Sequence, residues 1–252
     1  MTSIIQRLPI GYTEIEYLST TGQQSNQTST NAAAWIDTGI VPGAKTSMEC
    51  RMRFTSLPAS GSESLCGTTG SGRFAWGFAN VNPQTVFYVG LGNQNVATSV
   101  TRDTDWHVFR IDAYSKTWAI DNVTGSFTSA GTLNATISID LFARNNSSVG
   151  SSVCNKPANA DIDYCKFWND GVLIRDYVSC NRDTDGVKGL YDMENDVFYT
   201  SKGTKVFTGG SAFSAEKMRL IYKTDNNGAK LVIPVFPQTA NTKPMKLVYF
   251  PK

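Results

Sequence analysis

The 252-residue chain is poor in charge and in the residues from which common active sites are built. Only 17% of its residues are Asp, Glu, Lys or Arg, and it contains a single histidine, His107. One histidine cannot form a multi-histidine metal site, and it is the single residue that could serve as the base of a Ser-His-Asp triad. Because His107 stands at the entry of a predicted strand, we expect it to have a structural role.

Cysteine, long apolar runs and export features are also scarce. The five cysteines are widely spaced and form no C-x-x-C pair, which indicates neither a disulfide framework nor a zinc site. We therefore expect buried thiols, which suit a reducing cytoplasm. No window approaches 18 apolar residues, and the N-terminus lacks a basic start followed by an apolar stretch, so we expect neither membrane insertion nor secretion.

A helix-forming composition is missing, since Ser, Thr, Asn and 21 Gly replace the usual Ala/Glu/Lys/Leu mixture. Period-2 alternation is present instead: in His107–Asp112, His107, Phe109 and Ile111 share one face and Val108, Arg110 and Asp112 share the other. Asn169-Asp170-Gly171, Asp121-Asn122 and Asn226-Asn227-Gly228 are turn sequences between such runs. An antiparallel β-sandwich in one large domain is predicted, with two equal domains as the alternative. The predicted strands of the body are Ala34–Ile40, Ser47–Phe54, Arg73–Phe78, Thr85–Gly90, His107–Tyr114, Lys116–Ile120, Ile137–Phe142, Ile162–Trp168 and Val172–Val178.

The last part of the chain differs in charge from the rest. Residues 211–252 contain seven Lys/Arg and two Asp/Glu (7 − 2 = +5), whereas residues 1–210 contain 16 and 19 (16 − 19 = −3). We divide the chain into a body, 1–210, and a C-terminal β extension, 211–252, with predicted strands at Lys217–Lys223, Leu231–Phe236 and Met245–Phe250. The extension is predicted to anchor the protein to an acidic partner surface, and the alternative is that it caps the sheet edges of its own body. The predicted anchoring residues are Lys217, Arg219, Lys246, Leu247, Tyr249 and Phe250.

Segments near both ends of the body carry a family resemblance. Leu8–Leu18 (LPIGYTEIEYL) with Trp35–Ile40 (WIDTGI), and Lys166–Tyr177 (KFWNDGVLIRDY) with Gly189–Asp192 (GLYD) and Val197–Thr200 (VFYT), resemble the laminin-G-like, concanavalin A-like jelly-roll domains of tailed bacteriophages and prophages. The resemblance covers about residues 8–210. It implies an all-β, two-sheet antiparallel jelly-roll sandwich.

The same resemblance implies a non-enzymatic virion structural protein, a head decoration or fibre component assembled in the cytoplasm of the bacterial host. The expected partners are other virion proteins, host surface glycans or a second copy of the chain. The net charge of +2 predicts no nucleic-acid partner.

A carbohydrate-binding module is the alternative function, since an aromatic face matches the apolar face of a pyranose ring. Its candidate residues are Trp76, Asn80 and Asn93. A glycoside hydrolase is a weaker alternative, because the carboxylate pairs Glu14/Glu16 and Asp161/Asp163 have suitable spacing but lie outside a Glu-x-Asp-x-x-Glu pattern. We expect these acids to face solvent.

One segment has the spacing of a calcium loop. Asn181, Asp183, Asp185 and Asp192 overlay the oxygen-ligand positions of such a loop, with Gly186 at the turn. A plain Asp-Gly turn between two strands is the alternative. No other cofactor is expected.

Overall fold

The computed structural model describes residues 8–23, 33–57, 63–69, 72–77, 85–129, 131–133, 136–145 and 154–213, together with the backbone of 219–224 and 230–235. Within these ranges every regular element is a β-strand. This part of the chain contains no helix long and apolar enough to cross a membrane.

Twenty-one strands are numbered in chain order. The first eleven are β1 Tyr12–Glu14, β2 Leu18–Ser19, β3 Ile36–Asp37, β4 Thr46–Phe54, β5 Cys66–Gly67, β6 Arg73–Gly77, β7 Val86–Gly92, β8 Gln94–Thr101, β9 His107–Asp112, β10 Thr117–Ile120 and β11 Val123–Ser126. The remaining ten are β12 Asp140–Leu141, β13 Arg144–Asn145, β14 Cys154–Asn155, β15 Ala160–Asn169, β16 Val172–Arg182, β17 Lys188–Asp192, β18 Val197–Tyr199, β19 Thr208–Gly209, β20 Arg219–Thr224 and β21 Lys230–Val235.

Two large antiparallel sheets form the body. The first, called here the large sheet, has the order β11-β10-β9-β4-β15-β16-β17-β18, with β1 paired to β16, and β2 paired to both β15 and β19. The second, called the small sheet, has the order β3-β12-β5-β6-β7-β8. The two sheets pack as a sandwich, which confirms the predicted all-β fold class. The specific jelly-roll topology stays a prediction.

The core lies between the sheets and follows from period-2 alternation. In β4 every second residue is buried, and in β9 His107, Phe109 and Ile111 face inward while Arg110 faces solvent, as the sequence predicts. From the small sheet, Trp76 of β6 places its ring 5.0 Å from that of Phe109. Burying a large apolar side chain is worth about 1.5–3 kcal/mol, so these contacts hold the sheets together.

The tight hairpin between β15 and β16 forms where the sequence predicts it. Asp170 and Gly171 have φ angles of 52° and 76°, the left-handed region that a two-residue type I′ turn requires at both positions. Asp121-Asn122 likewise connects β10 to β11, with a φ of 52° at Asp121. The third predicted turn, 226–228, lies outside the described residues.

The expectation of five buried thiols is wrong for two of the cysteines. Cys50 and Cys165 lie directly opposite each other on β4 and β15, with their Cα atoms 4.1 Å apart, and form a disulfide. Cys66, Cys154 and Cys180 are buried free thiols. The sequence did not indicate the pair because 115 positions separate its members and only sheet pairing makes them neighbours.

The body continues past the predicted boundary at Gly210. The backbone N–H of Glu16 donates to the carbonyl of Ser211 at 3.0 Å, and the N–H of Phe213 donates to the carbonyl of Glu14 at 3.0 Å. Beyond this, β20 and β21 pair with each other as a separate antiparallel sheet at two of the three predicted extension strands. The third, Met245–Phe250, lies outside the described residues.

Candidate functional site: an arginine–aromatic cluster

The outer face of the large sheet, opposite the core, carries a compact group of charged and aromatic side chains. The group lies at the end of the sandwich where β4 ends and where β9 and β15 begin. We call it the arginine–aromatic cluster, and it consists of Tyr17, Arg51, Arg53, Trp106, Asp161 and Asp163.

Strand alternation and one bulge bring these residues together. In β4 Met48, Cys50, Met52 and Phe54 point to the core, which turns Arg51 and Arg53 to the outer face. Arg53 lies opposite Asp161 in the β4–β15 register. The register then shifts between Ile162 and Tyr164, so Asp163 is the additional residue of a β-bulge beside Arg51.

Each aspartate of the cluster is paired with one arginine. Nη1 of Arg51 donates to Oδ2 of Asp163 at 2.9 Å, and Nε of Arg53 donates to Oδ2 of Asp161 at 2.7 Å. The aspartate side chains are only 0% and 2% exposed. The expectation that these acids face solvent is therefore wrong: the arginines of the neighbouring strand cover them and supply the charge that a buried carboxylate needs.

The two aromatic rings pack against the arginines. The guanidinium carbons of Arg51 and Arg53 lie 4.6 Å and 4.8 Å from the ring centre of Trp106, within cation–π range. Tyr17 lies 5.5 Å from the Arg53 guanidinium, and its ring centre is 6.0 Å from that of Trp106. Trp106 and Tyr17 are half-buried, so the cluster offers aromatic and polar surface to a ligand.

A second polar network continues the cluster along the outer face. Glu49 accepts hydrogen bonds from the Tyr164 hydroxyl at 2.8 Å and from Nε of Arg110 at 2.7 Å. Burial, and then the hydrogen bond to Glu49, raise the pKa of Tyr164, so its hydroxyl stays protonated. Lys166 and Asp176 form a further ion pair at 2.8 Å. The outer face is thus built from matched charges held in fixed register.

His107 follows Trp106 but points to the opposite face. Its Nδ1 and Nε2 lie 2.6 Å and 2.8 Å from carboxylate oxygens of Asp121 and Asp103, and its ring meets Phe87 edge-on. Burial lowers the pKa of His107, but the hydrogen bonds to Asp121 and then Asp103 outweigh it, so the net pKa is raised. The histidine ties the entry of β9 to the β10–β11 turn, which fits the expected structural role.

The predicted sugar-contact residues do not form a site around Trp76. Its side chain is only 1% exposed and lies in the core, so the expectation that it stacks against a sugar is wrong. Asn93 is exposed in the turn between β7 and β8. It is four residues beyond Val89, which lies opposite Trp76 in the β6–β7 pair. Asn80 lies outside the described residues.

The predicted calcium ligands are spread along a hairpin. Asn181 lies opposite Lys188 at one end of β17, and Asp192 lies opposite Tyr177 at the other end. Four residues of strand separate the two positions by about 13 Å, beyond the span of one ion's coordination shell. In the described part of the chain, no group of three or more His, Cys, Asp or Glu could hold a metal ion.

Each of these four side chains instead contacts another side chain of the same chain. The completely buried carboxylate of Asp192 lies 3.3 Å from Nε of Arg175. Asp185 is held by Arg182 at 2.6 Å, and this hydrogen bond lowers the pKa of Asp185. Asp183 accepts from the Thr13 hydroxyl at 2.8 Å, and Oδ1 of Asn181 accepts from Nζ of Lys188 at 3.1 Å. The structure thus contradicts a calcium site at this loop, because the overlay matched spacing along the chain but not spacing in the sheet.

Of the predicted anchoring residues, only Arg219 falls in a described strand, β20. The other five, Lys217, Lys246, Leu247, Tyr249 and Phe250, lie outside the described residues.

No protein-family model matches the chain, and no curated protein matches it significantly.

Proposed function

We propose that this chain is a non-enzymatic structural protein of a tailed-bacteriophage virion, a head decoration or fibre component that displays its sandwich on the particle. The observation that carries the proposal is the position of the segments with the phage resemblance. β1, from the first segment, pairs with residues 180–182 of β16, the strand that begins inside the second segment. Leu8, Val178 and Tyr191, all from these segments or the strands that continue them, share a hydrophobic cluster on the large sheet.

The arginine–aromatic cluster supports a binding role over a catalytic one. Asp161 and Asp163 are the buried one of the two carboxylate pairs considered for a glycosidase, and each forms an ion pair with an arginine. A general acid or base must exchange a proton with its substrate, whereas these carboxylates are fixed as acceptors for guanidinium groups. The half-buried Trp106 and Tyr17 beside them suit non-covalent contacts.

The proposed location is the virion, after assembly in the host cytoplasm. The Cys50–Cys165 disulfide is unusual for a protein that folds in a reducing compartment. We propose that the two thiols are oxidised after the particle leaves the cell, with extracellular dioxygen accepting their two electrons and two protons, which reconciles the two.

Mass spectrometry of gradient-purified particles tests the proposal. We expect tryptic peptides of this chain in constant ratio to the major capsid protein across the particle peak, and immunogold labelling on intact particles shows which part carries it. Absence of the chain from purified particles of a phage that expresses it would refute the proposal.

The C-terminal extension is the proposed anchor. Its charge of +5 (7 Lys/Arg − 2 Asp/Glu) favours an acidic virion subunit as the partner. The double substitution Lys217→Glu and Lys246→Glu is expected to lower incorporation into particles several-fold. The matched variant Lys45→Glu, on the exposed surface of the body, should leave incorporation unchanged. Equal incorporation of both variants would contradict the anchor.

A second candidate function is carbohydrate recognition, favoured by the half-buried Trp106 beside two paired arginines. Glycan-array binding that is lost in Trp106→Ala and kept in Trp168→Ala, a second half-buried tryptophan of the outer face, would support it. Silence of the wild-type protein on an array of bacterial surface glycans would count against it.

A further inference from the structure

Three basic side chains come together beside the small sheet. They are Arg73 of β6, Arg144 of β13 and Lys156, which follows β14. Burial, and then the charge of Arg73, lower the pKa of Arg144 to about 10. Burial, and then the charge of Arg144, lower the pKa of Lys156 in the same way. Like charges that disfavour each other's charged form destabilise the folded state, so their grouping requires an explanation.

The backbone places the two arginines close together. The N–H of Thr68 donates to the carbonyl of Phe74 at 3.0 Å, and Thr68 also forms a parallel bridge with Asn145. At about 4.8 Å for each step between neighbouring strands, Phe74 and Asn145 lie no more than about 10 Å apart. Both residues are buried, and they directly follow Arg73 and Arg144 in the chain. Alternation therefore turns both arginines away from the buried side, where their long side chains can meet.

The β13–β14 pair has two different faces. Arg144 and Asn155 lie directly opposite each other and so share one face. Cys154 packs with Trp35 at the other face, where burial, and then the charge of Asp140, raise the pKa of the Cys154 thiol to about 12. On the first face, Nε of Arg144 and Oδ1 of Asn155 are buried and have no hydrogen-bond partner among the described residues. Nearly all buried polar groups in folded proteins have a partner, so this face is where a ligand is expected.

The backbone of Lys156 is held in an uncommon conformation at the same place. Its φ of 54° lies in the left-handed region, and its carbonyl accepts a hydrogen bond from the N–H of Ser64 at 3.0 Å. Residues other than glycine seldom have a positive φ, and those that do occur often at ligand sites, where the surrounding structure fixes them. The turn falls directly after Asn155, so Lys156 adds a third cation beside Arg144.

The positive charge of this group is not balanced by nearby acids. Within the ranges that the structure describes, neither Arg144 nor Lys156 forms an ion pair with an Asp or a Glu. Of the 21 Asp and Glu residues of the chain, only Glu216 and Asp225 lie outside those ranges, and both belong to the C-terminal extension. A bound anion would therefore supply the missing negative charge.

The side chains favour one kind of anion. Arginine and lysine only donate hydrogen bonds, and the amide of Asn155 can donate through its NH₂ group. A cationic ligand would be repelled, and a neutral one would leave the positive charge unbalanced. A phosphate group has acceptor oxygens in several directions around one atom, whereas a carboxylate has two in one plane. Donors that come from three separate segments suit the phosphate group better, and arginine is a common residue for binding it.

We propose that Arg73, Arg144, Asn155 and Lys156 form a binding site for a phosphate group, called here the phosphate site. Its three cations are half-buried, so a ligand can reach them from solvent. The site is distinct from the arginine–aromatic cluster, which lies on the large sheet and whose arginines are already paired with aspartates. The proposal does not depend on the virion role.

Isothermal titration calorimetry on the full chain tests the phosphate site, with inorganic phosphate and methyl phosphate as probes at constant ionic strength. We expect saturable binding of at least one probe. Its affinity should be weaker by about tenfold or more in Arg144→Gln and in Lys156→Gln, because each variant removes a charged hydrogen-bond donor. Binding of methyl phosphate would identify a phosphate ester as the ligand, and binding of inorganic phosphate alone would identify the free ion.

Lys116→Gln is the matched control. Lys116 also has a left-handed φ, 57°, but lies exposed in the turn between β9 and β10. Its substitution removes the same charge from the same backbone conformation and is expected to leave the affinity unchanged. Circular dichroism checks that each variant folds, and if Arg144→Gln does not, Lys156→Gln carries the test.

Three results would overturn the proposal. The first is no binding of either probe. The second is an affinity that is unchanged in the variants of the phosphate site, since phosphate would then bind elsewhere, for example on the basic extension. The third is acetate binding as tight as phosphate binding at equal ionic strength, which would indicate an acidic protein partner instead. Incorporation into particles is measured separately, so the virion role and the phosphate site can fail independently.

Discussion

The aspartates of the arginine–aromatic cluster differ from most acids of the protein because their side chains are almost completely buried. An isolated buried carboxylate would cost several kcal/mol, so each one depends on the arginine opposite it. Arginine suits this position because its planar guanidinium binds the carboxylate in the plane while its face stacks on Trp106. The outer face is thus stabilised by a few fixed pairs.

Removal of one arginine is predicted to show this dependence. Arg51→Met keeps the aliphatic stem but deprives Asp163 of its guanidinium, so we expect the free energy of unfolding to fall by about 3 kcal/mol. Urea denaturation at pH 7 measures it. In Lys45→Met, which breaks a pair whose side chains are 52% and 65% exposed, the change should stay below about 0.5 kcal/mol. Similar losses in both variants would contradict the assignment.

His107 is predicted to make stability depend on pH in the neutral range. Because its pKa is raised in the folded state, its stabilisation is complete below the unfolded value of about 6.5 and is lost as the pH rises through the folded value. Unfolding free energies measured from pH 5.5 to 8.5 should therefore decline. His107→Gln is expected to lack this part of the decline, and an identical profile in the variant would refute the role.

Glu63 is predicted to act in a lower pH window. Its side chain is buried, with Oε1 and Oε2 each 3.4 Å from a nitrogen of Asn159, and burial raises its pKa to about 7. The unfolded chain loses this proton near its ordinary value of 4.5, so stability should fall between pH 4.5 and about 7. Glu63→Gln should flatten that window in thermal melts. A variant that retains the full slope would show that another group causes it.

At the scale of elements, close approach of strands explains a glycine in the resemblance segments. A Cβ on Gly189 of β17 would lie 2.1 Å from the carbonyl oxygen of Tyr199 on β18. No side chain fits between these two strands at that distance, so the backbone of β17 must shift to accept one.

Gly189→Ala is therefore expected to lower the free energy of unfolding by about 3 kcal/mol. The control is Gly43→Ala, since a Cβ there meets only the Thr46 hydroxyl at 4.0 Å, and it should change stability by less than about 0.5 kcal/mol. Denaturant titrations of both variants make the comparison. If Gly189→Ala were as stable as the control, the β17–β18 packing described here would be wrong.

At the scale of the whole molecule, backbone hydrogen bonds join residues 211 and 213 to the body, beyond the predicted boundary at Gly210. We expect a chain truncated after Phe213 to have the same melting temperature as the body within the full-length chain. Truncation after Gly210 removes the hydrogen bonds from Glu16 N–H to Ser211 and from Phe213 N–H to Glu14 and should cost about 1–2 kcal/mol. Differential scanning calorimetry compares the two. If the chain truncated after Phe213 were unfolded, this result would instead indicate that the extension caps the sandwich.

Local patterns predicted the strands that are half-buried and the hairpins that join them. Alternation in His107–Asp112 and the Asp170-Gly171 turn are properties of neighbouring residues, so sequence suffices for them. Two predicted strands are much shorter in the structure: of Ala34–Ile40 and Ile137–Phe142, only the two-residue strands β3 and β12 form. The eight-residue edge strand β8 was missed because its polar sequence resembles a loop.

The sequence alone therefore determined the all-β class, the alternation of the core strands and the charge of the extension, because these depend on composition and on contacts a few residues apart. The tertiary structure decided the functional surfaces. Trp76 is buried in the core because a second sheet covers its face. Cys50 and Cys165 form a disulfide because strand pairing places them opposite each other. The arginine–aromatic cluster draws its residues from several distant segments, and no spacing along the chain encodes which strands become neighbours.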